Sequence, residues 1–219
     1  MKVCTDACML GAWFAGKLSS YASILDIGSG TGLLMLMMAQ KSTALIHGIE
    51  IDMKSFTQLK ENISNNSWRE RLQVFPGDVR SYSFPEKYDF IISNPPFFEN
   101  DLPSPMEQEN LAKHSSQLTL LELIGAIDNH LSPDGSFGIL LPHHRSAYFI
   151  SKSEEFNFHL LEILSIRHSS NHDFTRAVMH FGRHKQNSIS SVEMSIHPGT
   201  HSGYTVEFVE LLKDYYLYL

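Results

Sequence analysis

Short apolar runs punctuate the first half of the chain at Ser23–Ile27, 44–49, 72–75 and Tyr88–Ser93, and each reads as a buried strand. Between them lie stretches of helical period. The Met-rich run from Leu33 to Lys41 follows a cluster of glycines and reads as a buried helix, while Met53–Ser64 is amphipathic. Strands that alternate with helices at this spacing call for right-handed crossovers and a mostly parallel sheet covered on both faces.

The pattern continues after residue 117 and then changes. A helix over 117–131 ends at Ser132-Pro133-Asp134-Gly135, a turn signature, and a strand over 136–141 follows. Beyond a helix at 147–156, runs at 160–167 and 175–182 are joined without a helix, hence antiparallel. A further strand near 192–196 and a tail helix or strand from Tyr204 close the reading. The expected fold is α/β: a doubly wound, mostly parallel seven-stranded sheet of Rossmann-like type, with an antiparallel C-terminal hairpin, in a single domain over 1–219.

Composition narrows the function without setting it. The 219 residues carry a net charge of −7, which argues against wrapping duplex DNA by phosphate neutralisation, and no DNA is expected as a partner. Basic residues nevertheless thicken late in the chain, at Arg167, His168, His172, Arg176, His180, Arg183, His184 and Lys185, where they can form a phosphate-facing patch or a solvated hairpin edge. Lys2, Lys113, Arg145 and Arg176 are further candidates for phosphate contacts. No run approaches the roughly 20 apolar residues of a membrane span, and no secretion signal opens the chain. A cytoplasmic, membrane-free, monomeric protein is expected. Cys4 and Cys8, four apart, read as small core residues on one helix face, and the 12 histidines show no zinc-enzyme spacing, so no metal is expected.

Four motifs carry chemistry. In LDIGSGTGLL, residues 25–34, a strand runs into Gly28, Gly30 and Gly32 and then a helix, an arrangement that lets a ligand approach backbone. Position 33 is Leu, which breaks the dinucleotide fingerprint, and Asp26, read as lying inside the turn, would repel a pyrophosphate. A cationic ligand suits it better, and S-adenosylmethionine carries an ammonium and a sulfonium but no phosphate. In HGIEID, Glu50 stands at a strand end where its carboxylate can accept from two ribose hydroxyls, with Asp52 a helix cap. In PGDV, Asp78 can accept from an adenine amine while the Val79 amide serves a ring nitrogen. In SNPPFF, Asn94 and the carbonyl of Pro95 are two acceptors able to take both hydrogens of a planar amino group, Pro96 stiffens the corner, and Phe97 offers a face worth roughly 1–3 kcal/mol for a stacked base. Residues 97–113, beside this corner, read as a loop able to order over substrate.

Taken together, the D-x-G-x-G-x-G turn, Glu50, Asp78 and Asn94-Pro95-Pro96-Phe97 resemble the class I S-adenosylmethionine-dependent methyltransferases that act on amino groups. MKVCTDACMLGAWF at the start, LAKHSSQLTLLELI at 111–124 and LLKDYYLYL at the end narrow the resemblance to the bacterial tRNA (adenine-N6)-methyltransferases, which modify the adenosine 3′ of the anticodon in a valine tRNA. The resemblance implies a tRNA partner and S-adenosylmethionine as cofactor. It implies that Asp26, Gly28, Gly30, Gly32, Glu50 and Asp78 bind that cofactor, with Thr5 and Asp6 near its methionine end, and that residues 94–97 hold the target base. Such relatives carry an aromatic and basic segment upstream of Met1, so a truncated start or a lost RNA-facing piece is also expected.

Other readings share parts of this pattern. Asn-Pro-Pro-aromatic also serves glutamine N5-methyltransferases of release factors and guanine N2-methyltransferases of ribosomal RNA, because each target presents a planar amino group. A non-catalytic nucleic-acid-binding module would carry an eroded glycine turn or a broken Asn-Pro-Pro corner; a nicotinamide oxidoreductase is disfavoured by Leu33 and Asp26.

Overall fold

In the computed structural model, which describes residues 4–96, 118–199 and 203–218, the apolar runs become strands close to the bounds their patterns set. These are β1 (Ser23–Ile27), β2 (Leu45–Glu50), β3 (Leu72–Pro76), β4 (Tyr88–Ser93), β5 (Leu131–Pro142), β6 (His159–Ser169), β7 (Phe174–Gly182) and β8 (Ser190–His197). They lie in the order β3-β2-β1-β4-β5-β7-β6-β8, so among the described residues the sheet has eight strands and not seven. The first five in that order are parallel, β7 runs against both β5 and β6, and β8 pairs parallel with β6 at the edge. The eighth strand was visible only as a short run because an edge strand needs just one buried face; Met194 alone is fully covered there.

Six helices are described: α1 (Thr5–Ala15), α2 (Leu33–Lys41), α3 (Met53–Ser64), α4 (Leu120–His130), α5 (Ser146–Glu155) and α6 (Val206–Leu212). Strand alternation sorts them into two layers. Ile24, Ile46, Phe90 and Ile92 pack under α1, α2, α3 and α6, whereas Leu25, Ile49, Ile91 and Ile139 pack under α4 and α5. Helix α4 starts three residues later than its pattern suggests because Thr119 and Glu122 form a reciprocal capping box, each side chain satisfying a backbone N–H of the other. The Ser-Pro-Asp-Gly turn does not precede β5 but bulges from it: Leu131 pairs with Tyr88 and Ser136 with Phe90, so four residues loop out opposite Asp89. No helix among the described residues is long and apolar enough to cross a membrane.

Two expectations about side chains change. Cys8 is buried, but Cys4 is exposed at the start of α1, so only one of the pair serves the core. The late basic run also splits. His180 is half-buried against the core, its Nε2 2.9 Å from Ser136 Oγ and its ring against Phe14 and Phe90, and burial lowers its pKa to about 4. Because β7 runs backwards, Arg183, His184 and Lys185 fall at the amino edge of the parallel strands, and Arg176 at the carboxyl edge.

Helix α1 crosses the sheet where Phe14 lies directly over Gly138, and a Cβ at that glycine would overlap the Phe14 ring. Gly138→Val is therefore expected to destabilise the fold by about 1–3 kcal/mol, since an over-packed core must shift backbone or rotamers. Urea unfolding checks this; a midpoint within error of the parent's would show that α1 is not fixed by this contact.

Candidate active site at the carboxyl ends of the strands

The predicted site residues among those described, Thr5 and Asp6 of α1 aside, lie at four neighbouring strand ends. Three glycines after β1 have left-handed backbone, with φ of +73° at Gly28, +56° at Gly30 and +91° at Gly32, which also opens α2. Left-handed φ three times in five residues folds the chain back on itself, and at Gly32 any side chain would strike Leu59 of α3. The amides of this turn are already spoken for. Gly28 N and Ser29 N donate to the carbonyl of Ile49 at 3.0 and 3.1 Å, and Gly30 N donates to Glu50 Oε2 at 2.7 Å.

Glu50 is thus a clamp. Its second oxygen, Oε1, accepts from Asp52 N at 2.8 Å, so the buried carboxylate ties the end of β2 to the turn after β1 and to its own following turn. Each carboxylate oxygen has two lone pairs, and one remains at each for a ligand's hydroxyls. Asp52 caps α3 by accepting from Ser55 N at 2.8 Å, as its sequence position suggests.

Asp26 differs from its expected placement. It sits within β1 and not in the turn, fully buried, and neither carboxylate oxygen has a hydrogen-bond partner. Burial first, and then the charge of nearby Glu50, push its pKa up to about 8. A carboxyl held this way gains from a cationic ligand, which would stabilise its ionised form. The Glu50 carboxylate bonded to the turn and the acidic Asp26 buried beneath it leave no welcome for a phosphate, and so the oxidoreductase reading has no support in the geometry.

Asp78 follows β3, half-buried and already engaged by a cation. Arg80, two residues on, grips it from Nε at 3.0 and 2.9 Å and from Nη2 at 2.6 Å, and reaches Glu122 Oε1 with Nη1 at 3.0 Å. These bonds to Arg80 hold the Asp78 carboxyl below its ordinary pKa. The sequence reading missed Arg80 and Glu122; the signal was the Asp-x-Arg spacing, which places a guanidinium beside a carboxylate in a tight turn. Val79 is buried, and its carbonyl lies 3.4 Å from His130 Nε2.

At the end of β4, Ser93 Oγ donates to the carbonyl of Ile27 at 2.9 Å, locking β4 and β1 level at their tips. Asn94 follows immediately. Its Oδ1 is buried without a hydrogen-bond partner, Pro95 is buried, and Pro96 is exposed. Phe97 lies outside the described residues, as does the whole of the loop read over 97–113. Thr5 shares a hydrogen bond with Tyr216 near the C-terminus, while Asp6 binds Arg176 at 2.7 Å. Arg176 pairs in register with Pro142 at the end of β5, so this ion pair brings the start of α1 to the carboxyl edge. A depression of about 670 Å³ lies elsewhere, behind α2, between Leu36, Met37, Trp68 and Tyr215, and holds none of the predicted site residues.

Comparisons with known proteins agree with this arrangement. The family model of the methyltransferase small domain matches residues 12–153. The tRNA1(Val) (adenine(37)-N6)-methyltransferase of Dyadobacter fermentans is 39% identical over 220 residues, covering 99% of this chain and 91% of the relative. The protein of that name from Bacteroides thetaiotaomicron is 34% identical over 100% of this chain and 92% of its own length. Among solved structures, a "predicted O-methyltransferase" of Agrobacterium tumefaciens superposes with a TM-score of 0.74 at 16% identity, covering 95% of this chain and 96% of that one. A glycopeptide N-methyltransferase solved with S-adenosylmethionine superposes with a TM-score of 0.62 at 8% identity, covering 84% and 90%.

The buried carboxyl of Asp26 makes a pH-dependent demand on stability. An ordinary carboxyl with pKa 3.8 in the unfolded chain and about 8 in the fold destabilises the native state progressively as pH rises between those values, and by a constant amount above them. Asp26→Asn removes the titration, so in the ligand-free protein its melting temperature should gain on the parent's from pH 5 to pH 8 and hold that lead at pH 9. Melting followed by circular dichroism decides; a difference independent of pH would mean that Asp26 ionises normally.

Proposed function

Because the chain belongs to the methyltransferase small domain family, we propose that it moves a methyl group from S-adenosylmethionine to the exocyclic N6 of an adenine in tRNA, the adenosine beside the anticodon of a valine tRNA. One observation carries the reading at the level of chemistry: Asn94 Oδ1, a buried acceptor with no partner, directly follows β4, whose neighbour β1 carries the equally unpartnered carboxyl of Asp26. Buried polar atoms are nearly always satisfied, and two exceptions on adjacent strand tips mark where ligands complete the structure. The names of the relatives favour tRNA adenine over release-factor glutamine and ribosomal guanine.

The residues present fit S-adenosylmethionine. Asp26 offers a negative charge to its cationic methionine end, Glu50 offers one lone pair on each oxygen to the ribose hydroxyls, and the glycine turn gives close backbone approach. Asp78 would take the adenine amine once Arg80 yields part of its grip, with the Val79 amide beside it. When bound, the cofactor supplies a methyl group on a sulfonium, whose sulfur keeps the bonding pair as the carbon leaves.

Asn94 and the carbonyl of Pro95 then work on the other reactant. Accepting both hydrogens of the target amino group, they draw its lone pair out of the ring and turn it toward the methyl carbon. The N–C bond forms as the S–C bond breaks, and the proton leaves the nitrogen afterwards, so no strong base is required. Catalysis of this kind is mostly positioning, and the rigid Pro95-Pro96 corner supplies the rigidity.

Incubation of the protein with labelled S-adenosylmethionine and unmodified tRNA, followed by digestion to nucleosides and mass spectrometry, should yield N6-methyladenosine; label in another nucleoside, or none, sinks the proposal. Asn94→Ala should lower turnover about 100-fold while S-adenosylhomocysteine binds within a few-fold of the parent. Glu50→Ala should do the reverse, weakening S-adenosylhomocysteine by about tenfold or more in calorimetry. If Asn94→Ala lost cofactor affinity and Glu50→Ala did not, the two roles would be misassigned.

A further inference from the structure

The reversed strand β7 has a consequence for the far half of the sheet. Since β7 opposes both β5 and β6, strands β6 and β8 point the same way as β1 and β4, and their carboxyl ends share an edge with the candidate active site. At that edge the tips of β6 and β8 bring three histidines together. The rings of His168 and His197 are 4.6 Å apart and those of His168 and His172 are 5.2 Å apart. They line, with Ser169 and Gly199, a depression of about 270 Å³.

This depression is built and not incidental. His172 Nδ1 bonds Ser169 Oγ at 2.8 Å, and His197 Nδ1 donates to the carbonyl of Gly203 at 2.6 Å. Both rings are therefore held by one nitrogen, which leaves Nε2 for a ligand. Gly199, with φ of +86°, lets the loop after β8 close on the loop after β6; a Cβ there would stand 2.9 Å from Ser170 Oγ. Arg167 lies beside the cluster, its guanidinium 4.8 Å from the Phe174 ring centre, 3.0 Å from Ser195 Oγ and 3.3 Å from Glu193. No group of three His, Cys, Asp or Glu among the described residues is placed to hold a metal ion, so the converging imidazoles call for another ligand.

We propose that the His168–His172–His197 depression binds a backbone phosphate of the tRNA, a subsite that anchors the strand on one side of the reacting adenosine. A His172 ring that accepts from Ser169 Oγ at Nδ1 carries its proton on Nε2 and can donate it to a phosphate oxygen, and imidazoles converging around one concavity suit a tetrahedral anion. The spacing agrees with RNA. Counting three and four strands from β4 at about 4.8 Å each places β6 and β8 about 14 and 19 Å from Asn94 along the edge, a distance of a few nucleotides. In a chain with net charge −7, a local cluster of donors in line with the catalytic corner is also what orients a polyanion without binding it everywhere.

The subsite rests on the tRNA reading above, and its test separates the two. In the double variant His168→Gln, His172→Gln, the KM for tRNA should rise about five- to tenfold with kcat within twofold, and S-adenosylhomocysteine should bind as before. The slope of log affinity for tRNA against log salt should become shallower by about 0.7–0.9, the loss of one phosphate contact. His184→Gln, on the opposite edge and paired with Asp134, should change none of these. Ring signals of His168, His172 and His197 in the unaltered protein should also shift together and saturate as inorganic phosphate is added. Unchanged tRNA affinity and salt slope in the double variant would overturn the subsite while leaving the methyltransferase intact. A phosphate response without a change in tRNA binding would assign the depression to a free anion and overturn the RNA proposal. A parent protein that methylates no tRNA would overturn the proposed function and this subsite with it.

Discussion

The hydrogen bond from Gly30 N to Glu50 fixes everything that the site depends on. It joins the turn after β1 to the tip of β2, and with Ile49 accepting from Gly28 and Ser29 it holds a turn of three left-handed glycines in one shape. The same bond sets the sign of the ligand. A glycine-rich turn before a helix ordinarily presents free amides to a phosphate. Here a carboxylate has taken the central amide and a second carboxyl, Asp26, sits buried beside it, so the turn favours positive charge. One interaction thus separates two chemistries that look alike in a glycine pattern.

The other side of the site is defined by what is left unmet. Asn94 Oδ1 and both oxygens of Asp26 are buried without partners, an arrangement that stabilises nothing in the ligand-free protein and raises the energy of the fold. Such groups persist where a neighbouring frame over-determines them. For Asn94 that frame is Ser93 bonded to Ile27 and two prolines that fix the backbone; for Asp26 it is a strand hydrogen-bonded on both sides. Rigidity around an unsatisfied acceptor is the structural form of a positioned reactant site.

Much of this was legible in the chain. Ser23–Ile27, Leu33–Lys41, Met53–Ser64 and Tyr88–Ser93 are long or strongly bounded enough for periodicity and glycine or proline punctuation to set their limits. Local chemistry shifted other boundaries: Thr119 capped α4, and the Ser-Pro-Asp-Gly segment became a bulge because Leu131 already pairs with Tyr88. Residue types and spacing brought Glu50, Asp78 and Asn94 to one edge, but partners were hidden. That Asp78 is gripped by Arg80, or that Asp26 is inside the strand with no partner, depends on side-chain directions that a linear pattern does not encode. Likewise the basic run from Arg167 to Lys185 looked continuous in sequence, and the reversal of β7 cut it into an active-site edge, a half-buried histidine and an opposite edge.

That reversal matters for how a sheet of this kind meets a long substrate. A purely parallel sheet would send the connection after every strand across a face, and each new tip would need another helix. Here β6, reached from β5 across helix α5, lies one strand further out, the tight turn after it lets β7 fill the gap between them, and β8 pairs beyond β6 to extend the same edge. The carboxyl edge then runs unbroken in direction from the cofactor turn at β1 to the histidine cluster at β8, interrupted only by β7, which contributes Arg176 from its starting end. Under the proposed function the small molecule lies at β1 and β2, the reacting amino group lies at β4, and the remaining strands supply length.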